Sequence, residues 1–116
     1  MNDRNKSRLL HILEAIDSIN KFCENKKKND FIKDELLTSA VLQKFLIIGE
    51  AATKLDSDLI NKYKFPWHKP RALRNFIAHE YYNIKTERIW DTIISDLPML
   101  EKIVRKILFE EFNINY

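Results

Sequence analysis

The chain has 116 residues, of which 45% are hydrophobic and 32% are charged, and its formal net charge is +3. This length allows one domain, residues 1–116, with a single core, and the composition argues against a disordered chain. One glycine and three prolines supply too few turn residues for a set of β-hairpins, so the sequence favours a few long helices.

Two features of the sequence concern the cell compartment. The longest apolar runs, such as residues 45–48, are far shorter than a bilayer span, and residues 1–6 lack the apolar core of a signal peptide. The lone Cys23 cannot form an internal disulfide, which fits a reducing compartment. We therefore expect a cytoplasmic protein with no membrane contact.

The first predicted helix runs from about residue 5 to residue 24. Along it, apolar residues recur at three- and four-residue steps and form one stripe: Leu9, Ile12, Leu13, Ile16, Ile19, Phe22 and Cys23. The lysine-rich residues 25–30 break this pattern. Such runs are more often solvated loops than contacts to a phosphate backbone.

A second helix is predicted from about residue 30 to residue 55, with Asp30 as its N-cap. Its apolar residues cover more than one face, which indicates a central helix with neighbours on two sides. Gly49 lowers helix stability unless a close approach requires it, so we interpret it as a contact point for another helix. Glu50 is either a structural acid or a group that orients a functional site.

The third predicted helix is short. Residues 56–64 read as a connecting turn or helix, and two prolines in residues 65–70 permit only an extended approach and a first helical turn. The helix itself is expected over about residues 67–79.

The fourth predicted helix covers about residues 86–112, and Pro98 should kink or divide it near Asp96. The predicted architecture is an all-α, antiparallel bundle of four to five helices. Two helical hairpins form it, and the short third helix lies against the long ones.

Residues 71–82 carry the chemistry of interest. Leu73, Phe76 and Ile77 have the spacing of core residues. Asn75 and His79 are four residues apart and therefore share one helix surface, with Arg74 beside it. On spacing alone, an Arg, an Asn and a His near a helix end are more often surface or capping residues than a site.

Cleavage of an RNA backbone requires a base for the 2′-hydroxyl proton, an acid for the leaving 5′-oxygen and a cation for the phosphoryl oxygens. The planar guanidinium of Arg74 suits the last role, and the imidazole of His79 can carry protons near neutral pH. One His provides a single imidazole, whereas the reaction needs both a base and an acid. A dimer that brings together two copies of this helix would supply two.

Further candidates for RNA contact flank the motif. A basic stretch lies just upstream: His68, Lys69 and Arg71. Three aromatic side chains offer faces on which bases can stack: Trp67, Tyr81 and Tyr82. The histidines His11, His68 and His79 are scattered without a second ligand at a convincing spacing, so we expect no metal site.

The motif resembles the signature of the HEPN superfamily, in which Arg is followed by a polar residue and, five positions after the Arg, by His. Arg74, Asn75 and His79 match it, and Tyr81 matches the extension of the signature in the HepT toxin branch. Three further segments also look like this branch: residues 48–51, 65–67 and 89–90. The resemblance thus covers nearly the whole chain. Pro70 departs from many relatives, but in a first helical turn its missing donor costs little.

The resemblance implies a helical bundle that forms a homodimer, with the third helices facing each other across a cleft. It implies a metal-independent endoribonuclease without a cofactor, in which Arg74 and His79 are catalytic and Asn75 assists. It also implies a toxin–antitoxin pair of the HEPN/MNT type. The nucleotidyltransferase antitoxin would transfer AMP to Tyr81, with Tyr82 as an adjacent candidate.

Two alternatives stay open at this point. HEPN domains also serve as non-catalytic partners that help a nucleotidyltransferase to bind nucleotide or substrate. The chain would otherwise be a plain helical dimerisation module in which the motif is coincidence. The intact set of Arg74, Asn75 and His79 favours the enzyme, because a scaffold does not need all three.

Overall fold

The computed structural model describes residues 2–116, and these fold into helices without a strand. The elements are α1 (Asp3–Phe22), α2 (Lys28–Lys33), α3 (Glu35–Thr53), α4 (Ser57–Lys62), α5 (His68–His79), a 3₁₀ turn (Tyr81–Asn83), α6 (Thr86–Ser95) and α7 (Leu97–Phe112). The predicted all-α class is therefore confirmed.

Helix α3 is the centre of the bundle. It packs against α1 on one side and α5 on another, while α7 covers α1, and α6 bridges α7 and α2. The interior contains apolar side chains from every helix, including Ile16, Phe31, Ile48, Ile77 and Val104. The central position predicted for the second helix is confirmed.

The predicted helix over residues 30–55 is in fact two helices, α2 and α3, which meet at Asp34. The Asp34 carboxylate caps α3 by accepting a hydrogen bond from the Leu37 N–H at 3.0 Å. The prediction of Asp30 as N-cap is wrong. Asp30 lies inside α2, and its carboxylate accepts a hydrogen bond from the N–H of Lys27, the N-cap residue, at 2.8 Å.

Helix α3 is long and apolar enough to cross a membrane, judged by length and composition alone. Its uninterrupted apolar runs are short because polar side chains separate them. The mean hydropathy of the whole helix nevertheless stays high. Half of its most apolar stretch is buried inside the bundle, as is typical of a core helix.

The predicted division of the last helix is confirmed. Helix α6 ends at Ser95, Asp96 follows, and α7 begins at Leu97 with Pro98 in its first turn. Proline is tolerated there because the first N–H groups of a helix have no partner within the helix.

The segment before α5 is held to α7 by a polar cluster. The Tyr63 hydroxyl lies 2.6 Å from Glu111 Oε2 and 3.0 Å from Glu110 Oε1, and Lys62 Nζ lies 2.8 Å from Glu111 Oε2. Burial, followed by these hydrogen bonds, raises the pKa of the Tyr63 phenol. The hydrogen bond from Lys62, followed by that from Tyr63, lowers the pKa of Glu111. This cluster ties the end of α4 to the end of α7.

Candidate active site

Helix α5 crosses α3 at Gly49, so the predicted contact of Gly49 with another helix is confirmed. A Cβ atom added to Gly49 would collide with Cβ of Arg74 and would lie 2.8 Å from the carbonyl oxygen of Pro70. Only a residue without a side chain permits this approach. The contact brings the Arg74 side chain to the surface seam between the two helices.

Arg74 has partners on both helices at this seam. Its Nη2 forms an ion pair with Oε1 of Glu50, the residue that follows Gly49 on α3. Its Nη1 donates a hydrogen bond to Oδ1 of Asn75 at 3.0 Å. A guanidinium has five N–H donors, so further donors remain for a ligand. Of the two readings of Glu50, its contact with Arg74 fits the orienting group.

His79 is the last residue of α5 and is exposed to solvent. Within residues 2–116 its imidazole has no hydrogen bond or ion pair. Asn75 lies one helical turn earlier, and side chains at this spacing are neighbours. Glu50, Arg74, Asn75 and His79 thus follow one another along one exposed edge of the α3–α5 pair.

The two tyrosines after α5 differ in their surroundings. Tyr81 is 48% exposed, and its hydroxyl lies 3.4 Å from Ser39 Oγ on α3. Tyr82 is 98% exposed. Their rings pack edge to face with centroids 5.7 Å apart. The short 3₁₀ turn therefore holds Tyr81 against α3 and leaves Tyr82 projecting into solvent.

The basic residues at the start of α5 form a separate feature. His68, Lys69 and Arg71 are all exposed. His68 and Lys69 edge an apolar cavity of about 260 Å³ that Leu73 and Leu97 also line. Arg71 does not line this cavity, and within residues 2–116 no hydrogen bond or ion pair joins the three residues to Arg74.

Two expectations about side-chain direction are wrong. Trp67 is buried, its Nε1 donates to the Tyr63 carbonyl at 3.0 Å, and its ring packs 4.9 Å from that of Phe65. It closes the α4–α5 connection and offers no face to a base. Phe76 is 45% exposed rather than internal, whereas Ile77 is buried and Leu73 is partly buried.

Among residues 2–116, no three His, Cys, Asp or Glu side chains lie together as a group that could hold a metal ion. The groups available for chemistry at the α3–α5 edge are a carboxylate, a guanidinium, an amide, an imidazole and two phenols. This set can bind an anion and move a proton.

Comparison with known proteins identifies the family. The family model described as Ribonuclease HepT-like matches residues 12–107. The chain belongs to the ribonuclease HepT-like family. The resemblance to the HEPN superfamily is thereby confirmed, and the matched region contains α3, α5 and the 3₁₀ turn, which together form the candidate site.

Several curated relatives of this HepT-like chain carry ribonuclease names. A candidate RNase of Caldanaerobacter subterraneus subsp. tengcongensis is 36% identical over 104 residues, which cover 89% of this chain and 93% of the relative. A candidate RNase of Methanocaldococcus jannaschii is 36% identical over 110 residues, covering 90% and 91%. A candidate ribonuclease HepT of Thermococcus cleftensis is 29% identical over 108 residues, covering 92% and 98%. No solved structure matches the chain significantly.

Proposed function

We propose that this HepT-like protein is a metal-independent endoribonuclease and the toxin of a HEPN/MNT toxin–antitoxin pair, acting in the cytoplasm as a homodimer. The observation that carries the proposal is the edge formed by Arg74, Asn75 and His79. There the Arg74 guanidinium is held by Glu50 and Asn75, and the His79 imidazole, one helical turn after Asn75, has no partner within the described chain. The ribonuclease names of the relatives add support.

The reaction needs an imidazole base, an imidazolium acid and a cation, which two copies of this edge would supply. A neutral His79 imidazole takes the proton from a ribose 2′-hydroxyl, and the 2′-oxygen attacks the adjacent phosphorus. The bond from phosphorus to the 5′-oxygen breaks, and an imidazolium returns a proton to that oxygen. The products are a 2′,3′-cyclic phosphate and a 5′-hydroxyl.

Arg74 is assigned to the phosphoryl oxygens, on which negative charge accumulates in the transition state. Its guanidinium is already held by Glu50 and Asn75, so little reorganisation is required when the charge develops. The amide of Asn75 can both donate and accept, which suits a group that orients Arg74 and contacts the substrate.

The homodimer gains support from the outer surface of α5. Phe76 is 45% exposed there, and Ala72, one helical turn earlier on the same face, is also exposed. An apolar face on a helix that also carries the candidate catalytic groups suits a second copy of α5. The partner would then supply the second imidazole, so that one acts as base and the other as acid.

The proposed control of the toxin is modification of Tyr81. Its phenolic oxygen would attack the α-phosphorus of ATP, with loss of pyrophosphate and of the phenolic proton. Tyr81 follows His79 by two residues and is half-exposed. An added AMP would place negative charge and bulk beside Arg74 and His79, and both would oppose the entry of RNA.

The test is cleavage of a mixed RNA pool by the purified protein in excess EDTA, with analysis of the product ends. The wild type should cut and leave 2′,3′-cyclic phosphates, and His79→Ala and Arg74→Ala should each slow cleavage by about a hundred-fold or more. Arg88→Ala is the matched control, because Arg88 is exposed on α6 and has no ion pair among residues 2–116. Absence of cutting by a wild type whose Tyr81 and Tyr82 are unmodified would contradict the proposal and favour a non-catalytic partner of a nucleotidyltransferase.

A further inference from the structure

A second groove, of about 640 Å³, lies between the first half of α1 and the second half of α3. The α1 side presents basic groups one helical turn apart, and the α3 side adds one more at its end. The residues that matter here are Arg4, Arg8 and His11 from α1, Glu50 from α3, and Lys54, the residue that follows α3.

The permanent cations of this groove have no anionic partners. Within the described residues 2–116, Arg4, Arg8 and Lys54 form no ion pair with a carboxylate. The Arg8 guanidinium donates a hydrogen bond to the Lys54 carbonyl oxygen at 3.0 Å, and this hydrogen bond orients the guanidinium without neutralising its charge.

The acidic residues of the same groove are both compensated. Asp3 lies 3.8 Å from Lys6 Nζ, and Glu50 is paired with Arg74. The groove therefore has an uncompensated positive charge although the net charge of the whole chain is only +3. Such a surface favours a polyanion.

The groove is continuous with the candidate active site through Glu50, which lines it and also holds Arg74. A strand whose phosphate lies at Arg74 would reach the groove at its next residues. Proteins follow the backbone of a single strand with positively charged grooves of this kind.

We propose that this groove binds the backbone of single-stranded RNA beside the cleaved phosphate, with Arg4, Arg8 and Lys54 as its phosphate-binding residues. The inference rests on the proposed function, because it assigns the flanking part of the same substrate. It differs from the basic start of α5, where His68 and Lys69 edge a mainly apolar cavity.

The test measures binding alone, so it does not depend on cleavage. The probe is a fluorescent 16-nucleotide RNA of mixed sequence, methylated at every 2′-oxygen, and its Kd is measured by anisotropy over a range of salt concentrations. The double variant Arg4→Gln with Lys54→Gln should weaken binding about ten-fold at low salt. The slope of log Kd against log salt should fall by about 1.4, since each phosphate of a single strand that a cation no longer neutralises lowers the slope by about 0.7.

The matched control is Lys102→Gln with Lys106→Gln, two exposed lysines on α7 without an ion pair in the described chain. It removes the same charge and should leave the salt slope unchanged. Equal slopes for the two double variants would overturn the inference. So would an unchanged slope combined with a smaller sedimentation coefficient for the Arg4 and Lys54 variant, because the groove would then be an interface between two copies.

The outcomes separate this inference from the proposed function. A reduced slope in a protein that cuts no RNA would support the groove and contradict the nuclease. Cleavage that depends on His79, combined with an unchanged slope, would support the nuclease and overturn the groove.

Discussion

Gly49 of α3 and Arg74 of α5 are in direct contact, because Gly49 has no side chain to hold the helices apart. The Cβ of Arg74 occupies the space that a Cβ of Gly49 would need. The next residue on α3, Glu50, then lies within reach of the Arg74 guanidinium. One glycine thus sets both the depth of α5 in the bundle and the position of the candidate catalytic cation.

Gly49→Ala should destabilise the fold. Helix propensity alone favours Ala by about 1 kcal/mol. The new methyl group would meet Arg74 Cβ and the Pro70 carbonyl, which cannot rotate away, so α5 must shift. Overpacking of this kind costs about 1–3 kcal/mol. We expect a lower free energy of unfolding in urea and at least ten-fold slower RNA cleavage. A variant with a higher free energy of unfolding would show that α5 can move away from the new methyl group without loss of stability.

Glu50→Ala should affect activity rather than stability. The ion pair with Arg74 is partly exposed, and such pairs contribute about 1 kcal/mol or less. Removal of Glu50 frees the guanidinium to rotate, so we expect kcat for RNA cleavage to fall about ten-fold, with partial recovery in Glu50→Gln, which keeps an acceptor.

The control for Glu50 is Glu87→Ala, an exposed acid at the start of α6 without an ion pair among residues 2–116. It should leave kcat unchanged. A Glu50→Ala protein that cuts at the wild-type rate would mean that Asn75 alone is sufficient to position Arg74.

Tyr81→Phe should escape silencing. The variant keeps its ring packing but has no hydroxyl to accept AMP, so it should arrest growth even when the nucleotidyltransferase is co-expressed. Tyr82→Phe is the control and should be silenced normally, with one AMP added in its intact mass. Protection of the Tyr81→Phe strain with AMP on Tyr82 would reassign the modified residue, and protection without AMP would indicate occlusion by binding.

The α4–α7 cluster should make stability sensitive to acid. Hydrogen bonding, first from Lys62, holds the pKa of Glu111 below its usual 4.5 in the folded state. A depressed pKa contributes stability above the unfolded value, and this contribution is lost as the pH falls through the folded value. We expect the free energy of unfolding to decline below about pH 4.5.

Lys62→Met should make that decline shallower, because the pKa of Glu111 then returns toward its unfolded value. The measurement is urea unfolding at several pH values between about 3 and 7. Lys64→Met, which removes an exposed lysine without an ion pair in the described residues, is the control and should retain the wild-type slope. If the free energy of unfolding declined equally with falling pH in the two variants, the Lys62–Glu111 hydrogen bond would not be the cause.

The sequence alone determined the features that act over one helical turn. Apolar spacing predicted the stripe of α1, the two prolines of residues 65–70 predicted the start of α5, and Pro98 predicted the division between α6 and α7. Gly49 predicted a close contact because a glycine inside an apolar helix has few other reasons to be there. The motif from Arg74 to Tyr81 was readable because α5 and the following turn are continuous in the chain.

Only the tertiary structure decided which groups meet across helices. It paired Glu50 with Arg74, buried Trp67, exposed Phe76 and opened the groove between α1 and α3. Spacing gives the face of one helix but not the neighbour that covers it. Burial and charge partners depend on how residues far apart in the chain pack together, and that packing is a property of the whole bundle.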